Sequence, residues 1–218
     1  MSNIVVSGST VPSKWSDDVA KAMGSTAYLP RLQLYGGNSE AVKEGKVPMG
    51  AYGLATSRNV KPLGKPLDVL VIEWRPKAMF VSKDKSVVEC VYDPDAPRFK
   101  EISAMADTTS DSGCMFGPEF LVWVPNEDYA TYFLSSKSAR YEFNNLKKLI
   151  NCMASLDSVL VKGTGKQTGR SWHAPKVSDC LTPYQLPAIE EIDKQKSDFL
   201  NPKEFTPEEA TPDVAARG

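Results

Sequence analysis

The sequence predicts an α+β domain that is mostly β: an OB-like barrel or a two-sheet β structure, with two helices and disordered termini. Three observations predict it. Short runs rich in β-branched and aromatic residues recur between Pro, Gly and Asn/Asp turn signals. Two segments instead space their apolar residues by three and four. Both ends of the chain are rich in Pro and polar residues. With 218 residues, 41% hydrophobic and 24% charged, the chain can bury a real core and stands outside the disordered range.

Residues 1–25 read as a flexible arm with one short helical possibility at Trp15–Met23, 26–184 as a β-rich core domain, and 185–218 as an acidic, Pro-containing tail. The body opens with AYLPRLQLY (27–35), where Pro30 suits an edge strand or a bulge. GGNSEAVKEGK (36–46) offers Ser39 as a cap for a turn or two of helix, and Met49–Ala55 is extended again. LDVLVIEW (67–74) is the strongest strand, and Pro76 beyond it marks a break or an edge. SVVECVY (86–92) stops at the turn DPDAP, and RFKEISAMAD (98–107) puts Phe99, Ile102 and Met105 on one side of a helix. EFLVWVP (119–125) and YATYFLSS (129–136) flank NED as a hairpin. SARYEFNNLKKLINCM (138–153) carries one apolar stripe, Ala139, Phe143, Leu146, Ile150 and Met153, which predicts a single helix.

The net charge of −1 is uninformative as a total, but it is unevenly spread. From Leu186 onward acidic residues outnumber basic ones two to one, which leaves the body slightly basic. Cys90, Cys114, Cys152 and Cys180 lie far apart, and one histidine cannot complete a zinc set with them, so no metal or cofactor is expected. The opening residues lack a secretory pattern and no apolar run suggests a membrane partner, so the expected address is the cytoplasm, that of the host if the protein is viral.

The stretch VKGTGKQTGRSWHAPKV (161–177) gathers three glycines and four basic side chains around Trp172 and the sole histidine, His173. A phosphate-binding Walker loop needs Ser or Thr after Gly-Lys, and here Gln167 follows Lys166. Glycines at 163, 165 and 169 instead suit a hairpin connection between DSVLVKG (157–163) and GRSWHAPKV (169–177). Alternation then puts Arg170, Trp172 and Ala174 on one face and Ser171 and His173 on the other. Basic groups beside an exposed indole are what single-stranded nucleic acid requires: cations meet phosphates, and the ring stacks a base.

Trp74, Arg75 and Lys77, with Phe80 beyond, have the same chemistry, and Tyr28, Arg31 and Tyr35 form a third group. The nucleic-acid-binding candidates are therefore Trp74, Arg75, Lys77, Lys162, Lys166, Arg170, Trp172 and Lys176. They act together only if both segments line one trough. The competing reading makes the strand tryptophans core and the loop lysines solvated. No catalytic residue is assigned: His173 has no sequence-visible partner in Ser171 or Cys114, and Asp68, Glu73 and Glu89 form no metal-nuclease pattern. The chain is read as not an enzyme.

The runs YLPRLQLYGGNSEAVKEGKVP, VLVIEWRPKAMF, CVYDPDAPRFKEI, GCMFGPEFLVW, SSKSARYE and GRSWHAPKV resemble a family of tailed-phage proteins that carries no assigned activity. More loosely, a β-rich body with an acidic C-terminus resembles phage OB-fold single-stranded DNA-binding proteins. That likeness implies a single-stranded DNA-binding protein of phage DNA replication or recombination, with a tail that shields the groove and docks replication proteins; a homo-oligomer is a separate expectation. The tail departs from the pattern by ending in VAARG, which leaves Phe199 and Phe205 as its apolar anchors. The alternative is a virion structural or assembly protein whose β-domain forms a subunit interface.

Overall fold

The computed structural model describes the backbone of residues 3–6 and all of 29–56, 59–83, 88–108, 112–164 and 167–202. The helix expected within 15–23, Tyr28, Lys166 and the tail beyond 202 lie outside these residues. The strands are β1 (Asn3–Val6), β2 (Arg31–Leu34), β3 (Tyr52–Ala55), β4 (Val60–Gly64), β5 (Leu67–Val81), β6 (Val88–Val91), β7 (Cys114–Trp123), β8 (Tyr129–Phe133), β9 (Cys152–Lys162) and β10 (Ser171–Asp179). The helices are α1 (Glu40–Lys43), α2 (Pro97–Thr108), α3 (Lys137–Arg140), α4 (Phe143–Lys148) and α5 (Ile189–Leu200).

The fold is α+β and mostly β, built on one mixed sheet in the order β1-β6-β5-β7-β8-β2-β3-β4, with β9 beside β5 and β10 beside β9. β2 and β8 run parallel, and the other neighbours are antiparallel. The sheet is not closed, which corrects the OB-like barrel. It is also one sheet rather than two. The reason lies in β5, whose 15 residues serve as a forked spine. Leu67–Val71 pair with β9 and Ala78–Val81 pair with β6 on the same edge, while β7 runs along the other. A strand shared in this way spreads the sheet instead of wrapping it.

Pro76 does not interrupt β5. It sits opposite Pro118, in the stretch where β9 has ended and β6 has not begun, so its missing N–H removes no ladder bond. An irregularity in the β5–β7 register between Val71 and Glu73 re-aims the rest of the strand. Val69 and Val71 enter the main core, whereas Leu70 and Ile72 belong to a second cluster on the other face. Beyond the irregularity Trp74 packs with the main core, and Glu73 and Arg75 both meet α5.

The main core contains Leu32, Tyr52, Leu54, Phe120, Val122, Tyr132, Leu146 and Leu156. Within it the Tyr52 ring meets Tyr132 edge-on at 6.1 Å, and the Tyr52 hydroxyl donates to the Asp157 carbonyl at 3.0 Å, tying β3 to β9. The single helix expected over 138–153 is two short ones, and Cys152 and Met153 already belong to β9. The stripe still works: Ala139 and Leu146 are buried, and Phe143 and Ile150 pack against them. What ends the helix is Asn151 at φ 65°, whose N–H donates to the Val71 carbonyl, a turn only a few residue types tolerate.

Two expectations about the termini change. The N-terminal arm contributes β1, paired with β6 from Asn3↔Val91 to Val6↔Val88. Within the expected tail, residues 189–200 form α5, which lays Ile192 and Phe199 on Leu70, Ile72, Leu121 and Tyr129. Spacing explains it: Ile192 and Phe199 are seven apart, two helical turns on one face.

Candidate nucleic-acid interface

The proposed binding residues separate into two groups with opposite fates. Arg75 and Lys77 are buried, which removes them from any phosphate track. Both point at Glu119, which lies directly across from Arg75 on β7. Arg75 donates from Nε at 2.9 Å and from Nη2 at 2.8 Å to one carboxylate oxygen, and Lys77 Nζ donates to the other at 2.6 Å. The third arm of Arg75 donates to the backbone carbonyl of Phe199 at the end of α5. Its guanidinium is sandwiched between the Tyr92 ring at 3.7 Å and the Phe199 ring at 4.1 Å. Burial alone would push the Glu119 carboxyl up, but Lys77 and Arg75 outweigh it and hold it below the usual carboxylate range. Burial also raises the Tyr92 phenol well above its ordinary value.

Trp74 is half-buried on the main-core face. Its ring packs edge-on against Phe143 at 4.8 Å, with Lys147 Nζ 5.0 Å from its centre. Core packing therefore explains Trp74, and with Arg75 and Lys77 buried, residues 74–77 offer the 162–176 segment no cations for a shared trough. In the third group Arg31 is exposed and Tyr35 is buried in a small cluster with Ala41, Val47 and Ala51.

The second hairpin forms as expected. β9 and β10 pair from Ser171↔Lys162 to Asp179↔Ala154, and the Gly163 N–H donates to the Arg170 carbonyl at 2.8 Å to close the end. Lys162, Arg170, Trp172 and Lys176 are all exposed, Trp172 at 37%. Strand alternation puts Arg170, Trp172 and Lys176 on one face, across from Val161 and Asp157, while Lys162 shares the opposite face with Leu160, Ser171 and His173. The free edge of β10 is blunted: Pro175 has no N–H, and the Val177 N–H donates to Glu142 Oε2 at 3.3 Å.

On the Lys162 face lies a group that sequence reading missed. Ser158 is buried and donates its hydroxyl to the Gly50 carbonyl at 2.6 Å; it accepts from Lys65 Nζ at 3.1 Å and stands 3.4 Å from His173 Nδ1. Gly50, at φ 79°, comes so near the His173 ring that a Cβ there would lie 2.5 Å from it. These contacts seat the base of the hairpin on the turn before β3. Ser158 spends its proton on a carbonyl, so the group is built as a clamp. Cys114 packs elsewhere, with Phe80, Phe99 and Phe116, so it is no partner for His173. Nothing local in the sequence marks Ser158 or Glu119; each is found only by its cross-strand neighbour.

Among the described residues no group of three or more His, Cys, Asp or Glu could hold a metal ion, and no helix is long and apolar enough to cross a membrane. Compared with known proteins, the chain matches no protein-family model, no curated protein and no solved structure.

Proposed function

We propose that the protein is a non-enzymatic single-stranded DNA-binding protein of phage type, acting on replication or recombination intermediates, and that it grips the strand through the β9–β10 hairpin alone. The observation that carries this reading is Trp172, an exposed indole on the same strand face as Arg170 and Lys176. Cations on either side of a stacking ring match a sugar-phosphate backbone with one base laid on the indole. Trp74, Arg75 and Lys77 are no part of it.

Titration with poly-dT tests the proposal. Binding quenches Trp172 fluorescence, and Trp172→Ala weakens affinity by about 1–3 kcal/mol, the worth of one stacked base. With Arg170 and Lys176 as the phosphate contacts on the Trp172 face, and Lys162 on the opposite face, log K falls against log salt with a slope of roughly −1.4, at about −0.7 per phosphate. Each of Arg170→Ala and Lys176→Ala makes that slope shallower. Absent or salt-insensitive binding removes the reading.

A second reading has its own observation. Val159 and Leu160, 41% and 55% exposed, put apolar surface on both faces of β9 near the hairpin end. That suits a hairpin enclosed between subunits of a virion or assembly protein, since interface centres favour apolar groups over charges. A large oligomer of defined mass, formed without nucleic acid, is its signature.

A further inference from the structure

Three carboxylates on the sheet hold three successive points of the segment 180–202. Nearest the start, Asp68 of β5 accepts the Tyr184 hydroxyl at 2.8 Å, and the side chains of Ser155, Cys180 and Thr182 also bond to it. Next, Glu73 of β5 pairs with Lys196 of α5 at 2.8 Å. Last, Glu119 of β7 fixes Arg75, whose remaining arm holds the Phe199 carbonyl. The order along β5, 68, 73, 75, matches the order along the segment, 184, 196, 199.

Apolar attachment is thin by comparison. Phe199 is the one fully buried side chain of α5, with Ile192 partly buried, while Leu181, Ile189 and Leu200 are exposed. The helix start at Ala188 has no side-chain cap, and residues 183–188 before it have no regular structure. Beneath α5 the Tyr129 hydroxyl is buried without a hydrogen-bond partner among the described residues, and an unpaired buried hydroxyl weighs against closure there. Burial, with Glu191 and Asp128 nearby, pushes that phenol up to about 12.

We propose that residues 180–202 are a strap closed by carboxylate clasps, which lifts as a unit from the outer face of β5 and β7 while the sheet stays folded, uncovering Leu70, Ile72 and Leu121. Local units of this kind open with less free energy than the whole fold when few apolar contacts hold them. Acid acts on the clasps directly. Desolvation raises the Asp68 pKa, but the hydrogen bonds from Tyr184, Ser155, Cys180 and Thr182 outweigh it, and the net shift is downward. Glu119 is also held low. For carboxyls shifted downward, the stabilisation is complete above the unfolded values of about 4 and is lost as pH falls through the folded values. The groups facing them are Tyr184 and Cys180 at Asp68, Lys196 at Glu73, and Lys77, Tyr92 and Cys90 around the Arg75–Glu119 pair.

Hydrogen exchange of the full chain tests this, with rates corrected for the intrinsic effect of pH. At neutral pH, Asp68→Asn combined with Glu73→Gln speeds exchange across 189–200 by about tenfold, as expected for two partly exposed polar pairs, and leaves 120–123 in β7 unchanged. In the unaltered chain, lowering the pH below about 4 does the same to 189–200 before β7 responds. If 189–200 and 120–123 lose protection together under both conditions, or if 189–200 ignores the double variant, the strap is not a separate unit and the proposal fails.

Discussion

Replacing Glu119 by Ala lowers stability by about 3–5 kcal/mol, because it leaves Arg75 and Lys77 buried side by side with no counter-charge. Glu119 accepts from both, and its desolvation is offset only while they are there. For a chain of this length the loss corresponds to a fall in Tm of roughly 6–20 °C, measurable by calorimetry. Two comparisons identify the cause. Replacing all three, as Arg75→Met, Lys77→Met and Glu119→Leu, recovers most of the loss, since a buried charge group exchanged for apolar side chains of similar volume is close to neutral. The pH dependence gives the second. Because the folded carboxyl is held low, its contribution is full above about pH 4.3 and disappears as pH falls through the folded value. The gap between the unaltered protein and Glu119→Gln therefore narrows in acid. A Glu119→Ala protein within about 1 kcal/mol of the original would mean that Arg75 and Lys77 reach water once the carboxylate is gone, and the cluster would not be a desolvated one.

Gly113→Ala is expected to cost about 3 kcal/mol or more, by adding backbone strain to overpacking. Gly113 leads into β7 at φ 72°, a left-handed conformation that a side chain disfavours. A Cβ there would lie 2.1 Å from the Val81 carbonyl oxygen. That contact is with backbone, and the Gly113 carbonyl is itself bonded by the Val81 N–H at 2.9 Å, so neither strand end can move away without breaking the pairing. Urea unfolding reads the loss. Gly169→Ala is the matched control: its φ is 85° but a Cβ would meet nothing within 4 Å, so it shows the cost of the backbone conformation alone. Equal losses at the two positions would assign the whole effect to φ and none to the clash.

The hairpins and helix α2 were legible in sequence because their causes are local. NED between two β-rich runs makes the β7–β8 turn, glycines at 163 and 169 bracket the β9–β10 connection, and Phe99 and Ile102 sit one turn apart on α2. The same locality made Arg170, Trp172 and Ala174 share a face, since alternation along a strand needs no partner. The helix expected at 138–153 went wrong at its end, where the Asn151 N–H is claimed by Val71 from 80 residues away.

Sequence by itself determined most of the strands, though not β1, β4 or the start of β9, which side chains alternate along them, and where cation and indole stand next to each other. Only the tertiary structure decided what those cations do. Lys162, Arg170 and Lys176 stay in water because their hairpin reaches past the core, whereas Arg75 and Lys77, equally basic in the sequence, face Glu119 44 and 42 residues further along. The physical reason is desolvation: a charge keeps its freedom to bind only where no folded partner has taken it from water, and that partner is chosen by sheet register and by the docking of α5, neither of which is written near the charge itself.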